Sequence, residues 1–542
     1  HKNIDLLLAT ELVALEGEPG QFMATLEKRY TFVDPTKCIG CGRCAEVCPV
    51  RVADEFNAGL TMRPAAHLPL PHAIPNHYVV DLDNCLRCWK CFEACPSGAI
   101  DFKLDERKDF HILVADAAGT TFKPLAEMLK ELNFPLHHAA TGQEVLDHVT
   151  QNQNCRLLLL ELGGAGNGGF ADMPAERILE RVKEIRPELN VVLISDPAQP
   201  EGTASADPTM AEARAAAEAL LEKGAREILE RPLRRGKVVP WLDKLFMRVL
   251  SDETLMVDVA AVVLAAGFDC YDPSPQHDTL GYGVYPDVLT SVEFERLCSG
   301  TGPSGGLLRR PSDGGPVRRV AWLQCVGSRN VKQNADFCSS YCCMVSLKEA
   351  LLAKRRTGGA AETVIFYMDM RTFGKDFERY REKAVDEAGV KLVASRIHTV
   401  FPGDDPEQGT LRLQYMDQGE LRDEYFDMLV LAVGARPPKG MRKLAKAAGV
   451  ETNRFGFCRT DRLTPLAASR PGIYVAGAFG EPKDIPESVA QASGAASCAM
   501  EQLSTARGTL IGRREYPWER DVTDERPRIG VFICHCGHNI AS

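Results

Sequence analysis

Two runs of cysteine constrain this chain more than any other feature of its sequence. Both runs follow the pattern C-x-x-C-x-x-C-x-x-x-C-P, and a loop rich in Pro and His separates them. In two-cluster ferredoxins the first three cysteines of such a run surround one [4Fe–4S] cluster, and the fourth reaches the other cluster. The pattern therefore predicts two clusters with crossed ligation. One set is Cys38, Cys41, Cys44 and Cys95, and the other is Cys85, Cys88, Cys91 and Cys48.

Zinc is the alternative metal, because it also binds paired cysteines. Zinc, however, gives no reason for a fourth cysteine before proline in both runs. With 19 cysteines in 542 residues, clustered spacing points to metal binding in a reducing, cytoplasmic compartment. The net charge of −10 argues against a nucleic-acid partner. No apolar run reaches the roughly 18 residues of a membrane span.

A second cysteine group follows much later in the chain. Cys325, Cys338, Cys342 and Cys343 fall within 19 residues. The sequence predicts a strand over 320–324 and a helix over 338–354. Cys338 and Cys342 would then share a helix face near the positive end of the helix dipole, which favours thiolates. The residues alone leave two interpretations open: a third cluster, or buried free cysteines.

The remaining segments predict α/β architecture. Residues 1–30 read as a β-hairpin. Strands at 111–116, 156–162 and 191–195 alternate with helices at 122–132 and 211–223, which predicts a doubly wound parallel sheet. Apolar strands at 259–264, 428–434 and 473–477 end in or near glycine, which favours an open nucleotide-binding sheet. Two G-x-G-x-x-G matches, at 164–169 and 300–305, are predicted to be false dinucleotide motifs. The first lies in the separate inserted domain, and proline near the second prevents a helix from starting.

Long motifs carry a resemblance to a known family. They read CPVRVADEF, PHAIPNHYVVD, AVVLAAGFDCYDP, TSVEFERLCSGTGPSGG, LQCVGSRN, FCSSYCCM and AGAFGEPKDIPESVAQAS. Over residues 1–104 and 251–500 the sequence resembles the A subunit of heterodisulfide reductase and the related flavin and iron–sulfur subunits of quinone-interacting oxidoreductase complexes. The resemblance implies a thioredoxin-reductase-like flavoprotein fold with an inserted ferredoxin module and bound FAD. It also implies an additional cluster on Cys325, Cys338, Cys342 and Cys343.

The resemblance also implies part of an FAD site. Its candidate residues are Gly267, Gly477, Asp484, Ser488 and Lys348. A helix is expected over 488–500, with Pro486 just before it, and its N–H groups could face the flavin. The alternative for this segment is an ordinary capped helix. The first βαβ unit, with its glycines, is expected to precede His1. Cysteines rather than a Gly-rich turn follow the strand at 320–324, which argues against NAD(P)H binding there.

In the family, FAD takes an electron pair and passes the electrons singly to different acceptors. One route leads through the ferredoxin module, and the other leads to subunits that reduce a disulfide. The implied partners are the other subunits of such a complex, ferredoxin, and an electron-donor subunit that is a hydrogenase, a formate dehydrogenase or an NADH-oxidising protein. Two alternatives stay open: a flavin–ferredoxin oxidoreductase without bifurcation, and a redox-sensing signalling protein. No catalytic residue is identified.

Residues 109–250 resemble a response-regulator receiver domain. Asp116 keeps an acidic-pocket position, Glu161 stands where the phospho-acceptor Asp is expected, Ser195 matches the Thr/Ser position, and Arg231 replaces Lys. Arg keeps the positive charge but changes its geometry. We predict that the domain is not phosphorylated and serves docking.

The expected division of the chain follows from these segments. It comprises 1–30 as part of the FAD domain, 31–104 as the ferredoxin module, 105–250 as the receiver-like domain, 251–505 as the flavin and iron–sulfur domain, 506–526 as a linker, and 527–542 as the start of a second module of the same family. The last segment is expected to begin with a strand at 528–533. Cys534 and Cys536 follow it and are assigned no site.

Overall fold

The computed structural model describes residues 4–71, 76–102, 111–129, 135–162, 170–195, 218–234, 238, 241, 245, 253–404, 409–509 and 516–531. The predicted hairpin is present, with strands β1 (Thr10–Glu18) and β2 (Gln21–Lys28). The turn requires glycine at position 17, because a Cβ there would lie 2.3 Å from the carbonyl oxygen of Gln21. The first strand begins at Thr10, so the apolar stretch at 4–8 precedes the hairpin.

The segment with the two cysteine runs forms a small module of short elements. They are α1 (Arg43–Val47), β3 (Val52–Ala53), β4 (Met62–Arg63), β5 (Ala66–His67), β6 (Val79–Val80) and α2 (Lys90–Ala94). A bridge between Val33 and Ile100 closes the module. Its core combines a few aromatic and aliphatic side chains, such as Phe32 and Phe102, with cysteines of both runs.

The next domain is a doubly wound sheet. Its elements are β7 (His111–Ala115), α3 (Phe122–Leu129), β8 (Leu136–Ala139), α4 (Gly142–Gln151), β9 (Cys155–Glu161), α5 (Ala175–Ile185), β10 (Asn190–Ser195) and β11 (Glu227–Glu230). The parallel strands lie in the order β8-β7-β9-β10-β11, which is the flavodoxin-like 2-1-3-4-5 order. The three predicted strands are confirmed to within one residue at each end. Residues 163–169, with the first glycine motif, and most of the predicted helix at 211–223 lie outside the described residues.

The last part of the chain alternates strands and helices again. Its elements are β12 (Glu253–Val259), β13 (Val262–Leu264), β14 (Asp269–Cys270), α6 (His277–Leu280), β15 (Val288–Thr290), α7 (Ser291–Cys298), β16 (Arg319–Val326), α8 (Cys342–Arg356), β17 (Glu362–Phe366), α9 (Phe377–Glu382), β18 (Lys391–Val393), β19 (Val400–Pro402), β20 (Leu411–Asp417), β21 (Glu420–Phe426), β22 (Met428–Val433), β23 (Ala435–Arg436), α10 (Met441–Ala448), β24 (Ile473–Val475) and α11 (Ile485–Gln502).

A five-stranded parallel sheet is the centre of this part. Its order is β15-β22-β16-β17-β18. All six residues of β22 are buried, as expected for a central strand covered on both faces. The antiparallel strands β19, β20 and β21 form a separate sheet whose buried side chains share a core with one face of the parallel sheet. Two further pairs are β13–β24, which is parallel, and β14–β23, which is antiparallel.

The single strand predicted at 259–264 is wrong, because the chain divides it between two sheets. β12 pairs antiparallel with β2 and so joins the N-terminal hairpin. The chain then bends at Ala260, whose carbonyl accepts a hydrogen bond from the N–H of Gly20. β13 follows and pairs with β24. An unbroken apolar run does not reveal this change of partner.

Three further predictions meet the structure differently. The helix predicted from Cys338 begins at Cys342, so the shared helix face of Cys338 and Cys342 is wrong; Ser340 has φ 68°, which no α-helix accommodates. α11 begins at Ile485, so Pro486 lies in its first turn, where the missing N–H is tolerated. Residues 528–531 are not a strand, and 532–542 lie outside the described residues. Residues 300–305 form turns without a helix, as predicted.

Candidate iron–sulfur and flavin sites

The eight cysteines of the two runs divide between two cavities. Cys38, Cys41, Cys44 and Cys95 line one cavity. Cys48, Cys85, Cys88 and Cys91 line the other. Each cavity therefore combines three cysteines of one run with the fourth cysteine of the other run. These are the two sets that crossed ligation requires.

The backbone explains how each run wraps around its cavity. Gly40 and Gly42 of the first run have φ of 68° and 80°, and the equivalent Arg87 and Trp89 of the second run have φ of 54° and 62°. Left-handed residues between the cysteines turn backbone N–H groups towards sulfur: that of Arg87 lies 3.3 Å from the Cys85 Sγ. Arg87 and Trp89 were not predicted from the sequence, because no residue-type rule predicts a left-handed Arg or Trp. An alignment of the two runs could have predicted them, because the equivalent positions of the first run are Gly40 and Gly42.

Cys44 in one cavity and Cys91 in the other are buried. Burial raises the pKa of Cys44 to about 11 and that of Cys91 to about 12, so binding of any metal must displace their protons.

The second cysteine group converges from three elements. Cys325 lies near the end of β16 with φ 62°, where the register of the strand shifts. Cys338 lies in the following loop, and Cys342 and Cys343 form the first turn of α8. Burial raises the pKa of Cys342 and of Cys343, and the neighbouring sulfurs of the group raise both further. The charges of Cys325 and Cys338 thus act on both helix cysteines, and the charge of Cys338 also acts on Cys325.

Two arginines that were not predicted from the sequence accompany this group. The charge of the Cys338 sulfur raises the pKa of Arg371, and the Arg329 guanidinium acts on Cys325 in the opposite sense to burial, lowering its thiol pKa. Arg329 also forms an ion pair with Asp369. Positive side chains of this kind compensate the negative charge of thiolates. Arg371 lies outside the quoted motifs, and Arg329 lies in the motif LQCVGSRN, which does not indicate that its side chain acts on a cysteine.

A crevice connects the second cysteine group with the start of α11. Cys338, Arg371 and Phe373 line one side. Pro482, Lys483, Glu487 and Gln491 belong to the other side. Lys483 is only 7% exposed, and its Nζ lies 3.1 Å from a carboxylate oxygen of Glu481. A buried lysine at a cleft between a thiol group and a helix start can contact an anionic ligand atom. Lys483 lies within the motif AGAFGEPKDIPESVAQAS but was not predicted as a site residue, because the sequence does not indicate that it is buried beside a crevice.

The five residues proposed for the flavin fall into two groups. Gly267 has φ 72° with open space at its Cβ position, and Gly477 has φ 66° at the end of β24. The N–H of Gly477 donates to Oε1 of Gln491, which ties this strand end to α11. Left-handed glycines allow close approach of a ligand to the backbone, and Gly267 also has open space beside it.

Asp484 and Ser488 act first as helix-capping residues. The Asp484 carboxylate accepts the N–H of Glu487 at 2.8 Å, and the Ser488 hydroxyl donates to the Asp484 carbonyl at 2.7 Å. The ordinary capped helix is thus part of this segment. Lys348 forms an ion pair with Glu295 of α7, and none of its described contacts reaches the crevice.

The structure brings the predicted receiver-like residues together at the carboxyl edge of the doubly wound sheet. Arg231 forms an ion pair with Glu161, and it donates to the Thr121 hydroxyl at 2.7 Å. Burial raises the pKa of Glu161, a hydrogen bond with Asp116 raises it further, and Arg231 opposes the shift. The backbone N–H of Arg231 donates to the carbonyl of Ser195. The position expected to accept phosphate is therefore filled by an internal ion pair.

Two parts of the chain match known protein families, and these matches define the class of protein. Residues 37–100 match the family described as "4Fe-4S dicluster domain", and residues 353–496 match "Pyridine nucleotide-disulphide oxidoreductase". The first match covers all eight cysteines of the two cavities, and the second covers part of the parallel sheet, most of α11 and the crevice residues other than Cys338 and Ser340. The chain is thus an iron–sulfur flavoprotein of the oxidoreductase class.

Curated relatives that match most of the chain carry more specific names than these families. The chain is 29% identical over 538 residues to the iron–sulfur A subunit of CoB–CoM heterodisulfide reductase from Methanocaldococcus jannaschii, covering 98% of this chain and 58% of the relative. It is 29% identical to the A subunit of the H(2)/formate:CoB-CoM heterodisulfide,ferredoxin reductase of Methanococcus maripaludis, covering 93% of this chain and 54% of the relative. It is 27% identical to a protein of Archaeoglobus profundus that is named as similar to the A subunit of heterodisulfide reductase, covering 94% and 58%. The chain thus spans little more than half the length of these relatives.

Two solved structures match about a quarter of the chain. A response regulator receiver domain from Clostridium thermocellum has 17% identity and a TM-score of 0.20, covering 26% of this chain and 93% of that chain. A CheY-like receiver domain from Methanospirillum hungatei has 16% identity and also a TM-score of 0.20, covering 26% and 96%. Scores this low do not establish a relationship. Within the described residues, no helix combines the length and apolar composition that a membrane crossing requires.

Proposed function

We propose that this chain is the electron-transferring flavin and iron–sulfur part of a heterodisulfide-reductase-type complex. The observation that carries the proposal is the crevice in which Cys338 and Arg371 face Lys483 and Gln491. In this crevice Cys338 of the second cysteine group lies opposite the start of α11. A cluster and a flavin held at this crevice would be near enough to exchange electrons.

Each group of residues has a separate task in this proposal. The two cavities of the small module hold two [4Fe–4S] clusters in crossed ligation, and Cys325, Cys338, Cys342 and Cys343 hold a third. Gly267, Gly477 and Lys483 line the approach to FAD, with Asp484 and Ser488 fixing the start of α11. FAD supplies the ability to accept an electron pair and to release the electrons singly. Arg371 and Arg329 offset the negative charge of the third cysteine group.

The proposal extends to the pathway of the electrons. One route leads through the two-cluster module to ferredoxin, and the other leads to partner subunits that reduce a disulfide, as the names of the relatives suggest. The electron donor is a further subunit that oxidises hydrogen, formate or NADH. The competing function is transfer between flavin and ferredoxin without bifurcation. Simultaneous reduction of ferredoxin and a disulfide by one donor separates the two, because only a bifurcating complex couples them.

The direct test is to count the cofactors of the full-length protein after anaerobic purification. Three clusters predict about twelve irons over this part of the chain, with matching sulfide and one FAD. Cys342→Ala should lower the iron content by about four and leave the clusters of the small module intact. Cys298→Ala is the matched control, because Cys298 is also buried but belongs to neither group.

An iron content of about eight in the wild-type protein, unchanged by Cys342→Ala, would remove the third cluster from the proposal. A colourless protein whose cysteines hold zinc would refute the proposal as a whole.

We also propose that the doubly wound domain serves docking rather than phosphoryl signalling. The Arg231–Glu161 ion pair and the hydrogen bond between Glu161 and Asp116 support this, because they occupy the groups that would bind Mg²⁺ and phosphate. Treatment with a small phosphodonor and Mg²⁺ should leave the mass of peptides 111–129 and 155–162 unchanged. A phosphorylated Asp116 or Glu161 would refute this part.

We further propose that the chain does not bind NAD(P)H at the end of β16. The second cysteine group follows this strand. The strand ends at Val326, and the next α-helix begins only at Cys342. A dinucleotide-binding unit instead passes directly from a strand through a tight glycine turn into a helix. Stoichiometric NADH binding to this chain would overturn this statement.

A further inference from the structure

A cluster of histidine and cysteine lies at the amino-terminal edge of the doubly wound sheet, away from every site described above. His111 is the first residue of β7, Cys155 is the first residue of β9, and the two are paired neighbours on adjacent strands. His148 reaches them from α4. One ligand atom from each of the three side chains lies within 4.8 Å of the other two.

The two imidazole rings point their Nε2 atoms at each other. The Nε2 of His111 lies 2.7 Å from the Nε2 of His148, and the ring planes are inclined by 80°. A metal-free pair can share one proton at this distance. Two zinc–nitrogen bonds of about 2.0–2.1 Å at tetrahedral angles need about 3.3 Å between the nitrogens. A small side-chain rotation therefore opens the pair enough to admit an ion.

The Cys155 sulfur supplies the third donor. The side chain is fully buried, and the one acceptor described for its S–H group is the Leu157 carbonyl at 3.8 Å, which is a weak contact. Burial raises the pKa of the Cys155 thiol to about 11, and Arg186 opposes this shift only in part, so a zinc ion has to displace the thiol proton. The guanidinium of Arg186 is itself bound to Glu188. A soft thiolate beside two imidazoles is a donor set that zinc prefers.

The backbone around the cluster is fixed by local hydrogen bonds. The N–H of His111 donates to the Asn154 carbonyl, and the N–H of Cys155 donates to the Asn152 carbonyl. The N–H of Asn152 in turn donates to the His148 carbonyl at 2.9 Å. The three donors are thus carried by one strand pair and the last turn of α4, just before β9. A site on such elements is held more precisely than one on a free loop.

We propose that His111, His148 and Cys155 bind one zinc ion. The ring of His137 on β8 lies beside both histidines, with its centroid 4.4 Å from that of His111 and 5.1 Å from that of His148. His137 is exposed, so water or this ring completes the site from the solvent side. β7 has five residues, so the zinc position and the Asp116–Glu161–Arg231 pocket lie at opposite ends of the sheet, about 15 Å apart. The zinc would join α4 to the sheet, as in other structural zinc sites.

The test uses the anaerobically purified chain with its iron–sulfur clusters in place. After incubation with equimolar zinc and removal of the excess, we expect about one zinc per chain by elemental analysis, with the iron content unchanged. X-ray absorption at the zinc edge reads zinc separately from iron. It should show one sulfur at about 2.3 Å and at least two nitrogens at about 2.0–2.1 Å.

Variants decide whether this zinc belongs to the cluster. His148→Gln and Cys155→Ala should each lower zinc retention at least tenfold without loss of iron. His138→Gln is the matched control: His138 is adjacent to His137 on β8, but its Nε2 contacts the Asp116 carbonyl instead. It should retain zinc as the wild type does. If Cys155→Ala does not fold, the half-buried His148→Gln variant decides alone.

Equal zinc retention in the wild type and in His148→Gln would overturn the proposal. A zinc edge with sulfur neighbours alone would overturn it as well, because the zinc would then occupy an iron–sulfur position. Absence of zinc from the wild-type chain under these conditions has the same consequence.

Discussion

The two regions that gather cysteine differ in what holds them together. In the small module, the buried cysteines are themselves part of the core, among few large apolar side chains. In the second region, the four cysteines lie at the edge of a five-stranded sheet whose own core contains Trp322, Phe294 and Phe366. The same ligand type thus serves as a core in one region and as an attachment to an existing core in the other. A module of about 70 residues rarely has sufficient apolar burial without a metal or other cross-link, whereas a larger sheet domain does.

Removal of all iron should have the largest effect, because it should unfold the small module and leave the sheet domain folded. Anaerobic chelation should raise amide hydrogen exchange in residues 31–102 close to the rate of an unfolded chain, because the module loses the centre of its core. Exchange in β16, β17 and β22 should stay slow, since their core contains no cysteine ligand. Mass spectrometry of peptides from both regions measures both outcomes in one sample. Equal protection of the module before and after chelation would contradict the idea that clusters hold it.

The next largest effect is the loss of one or two whole clusters from double cysteine variants, which tests crossed ligation. Combining Cys41→Ala with Cys95→Ala should cost about four irons, because both residues line the same cavity. Combining Cys41→Ala with Cys48→Ala should cost about eight, because Cys48 lines the other cavity. Iron and sulfide analysis of the two double variants decides. The reverse order of losses would indicate that each run holds its own cluster.

In the sheet domain, a buried carboxyl group makes the stability depend on pH. Glu349 of α8 is fully buried and accepts a hydrogen bond from the indole N–H of Trp322, and burial raises its pKa. A raised folded-state pKa gives stability that is present below the unfolded pKa of about 4.3 and is lost as pH rises through the folded value. Glu349→Gln should therefore match the wild type near pH 4 and exceed it by about 1–2 kcal/mol above pH 8, since the amide stays neutral. Slow hydrogen exchange in β16 at both pH values measures the difference.

The control for this prediction is a carboxyl group on the same sheet whose pKa is shifted in the opposite direction. Glu362 at the start of β17 forms ion pairs with Lys391 and Arg319, and the hydrogen bond from Lys391 is the largest cause that lowers its pKa. Its stabilising contribution is present above the unfolded pKa and is lost as pH falls. Glu362→Gln should therefore be less stable than the wild type at pH 8 and equal to it under acidic conditions. The ion pairs are partly exposed, so we expect an effect below about 1 kcal/mol. The same pH dependence in both variants would contradict the assignment.

The sequence by itself determined the features that depend on local pattern. The repeated cysteine spacing with proline predicted which sulfurs share a cavity, because three cysteines of one run and the fourth of the other must converge on one cluster. The alternation of apolar strands predicted the doubly wound sheet, and Glu161 and Arg231 were identified from the resemblance of this segment to a receiver domain. These features are encoded within a few residues or within one strand, so no long-range contact is needed to infer them.

Only the tertiary structure decided features that depend on partners distant in the chain. The apolar run at 259–264 divides because β2 and β24 each take part of it, and neither partner is near in sequence. Cys338 is separated from α8 by the left-handed Ser340 and meets Lys483 across the crevice, although the two lie far apart in the sequence. His111, His148 and Cys155 form one cluster only because parallel pairing brings β7 beside β9. Periodicity describes which face of an element is apolar, but strand order and loop path select which faces meet.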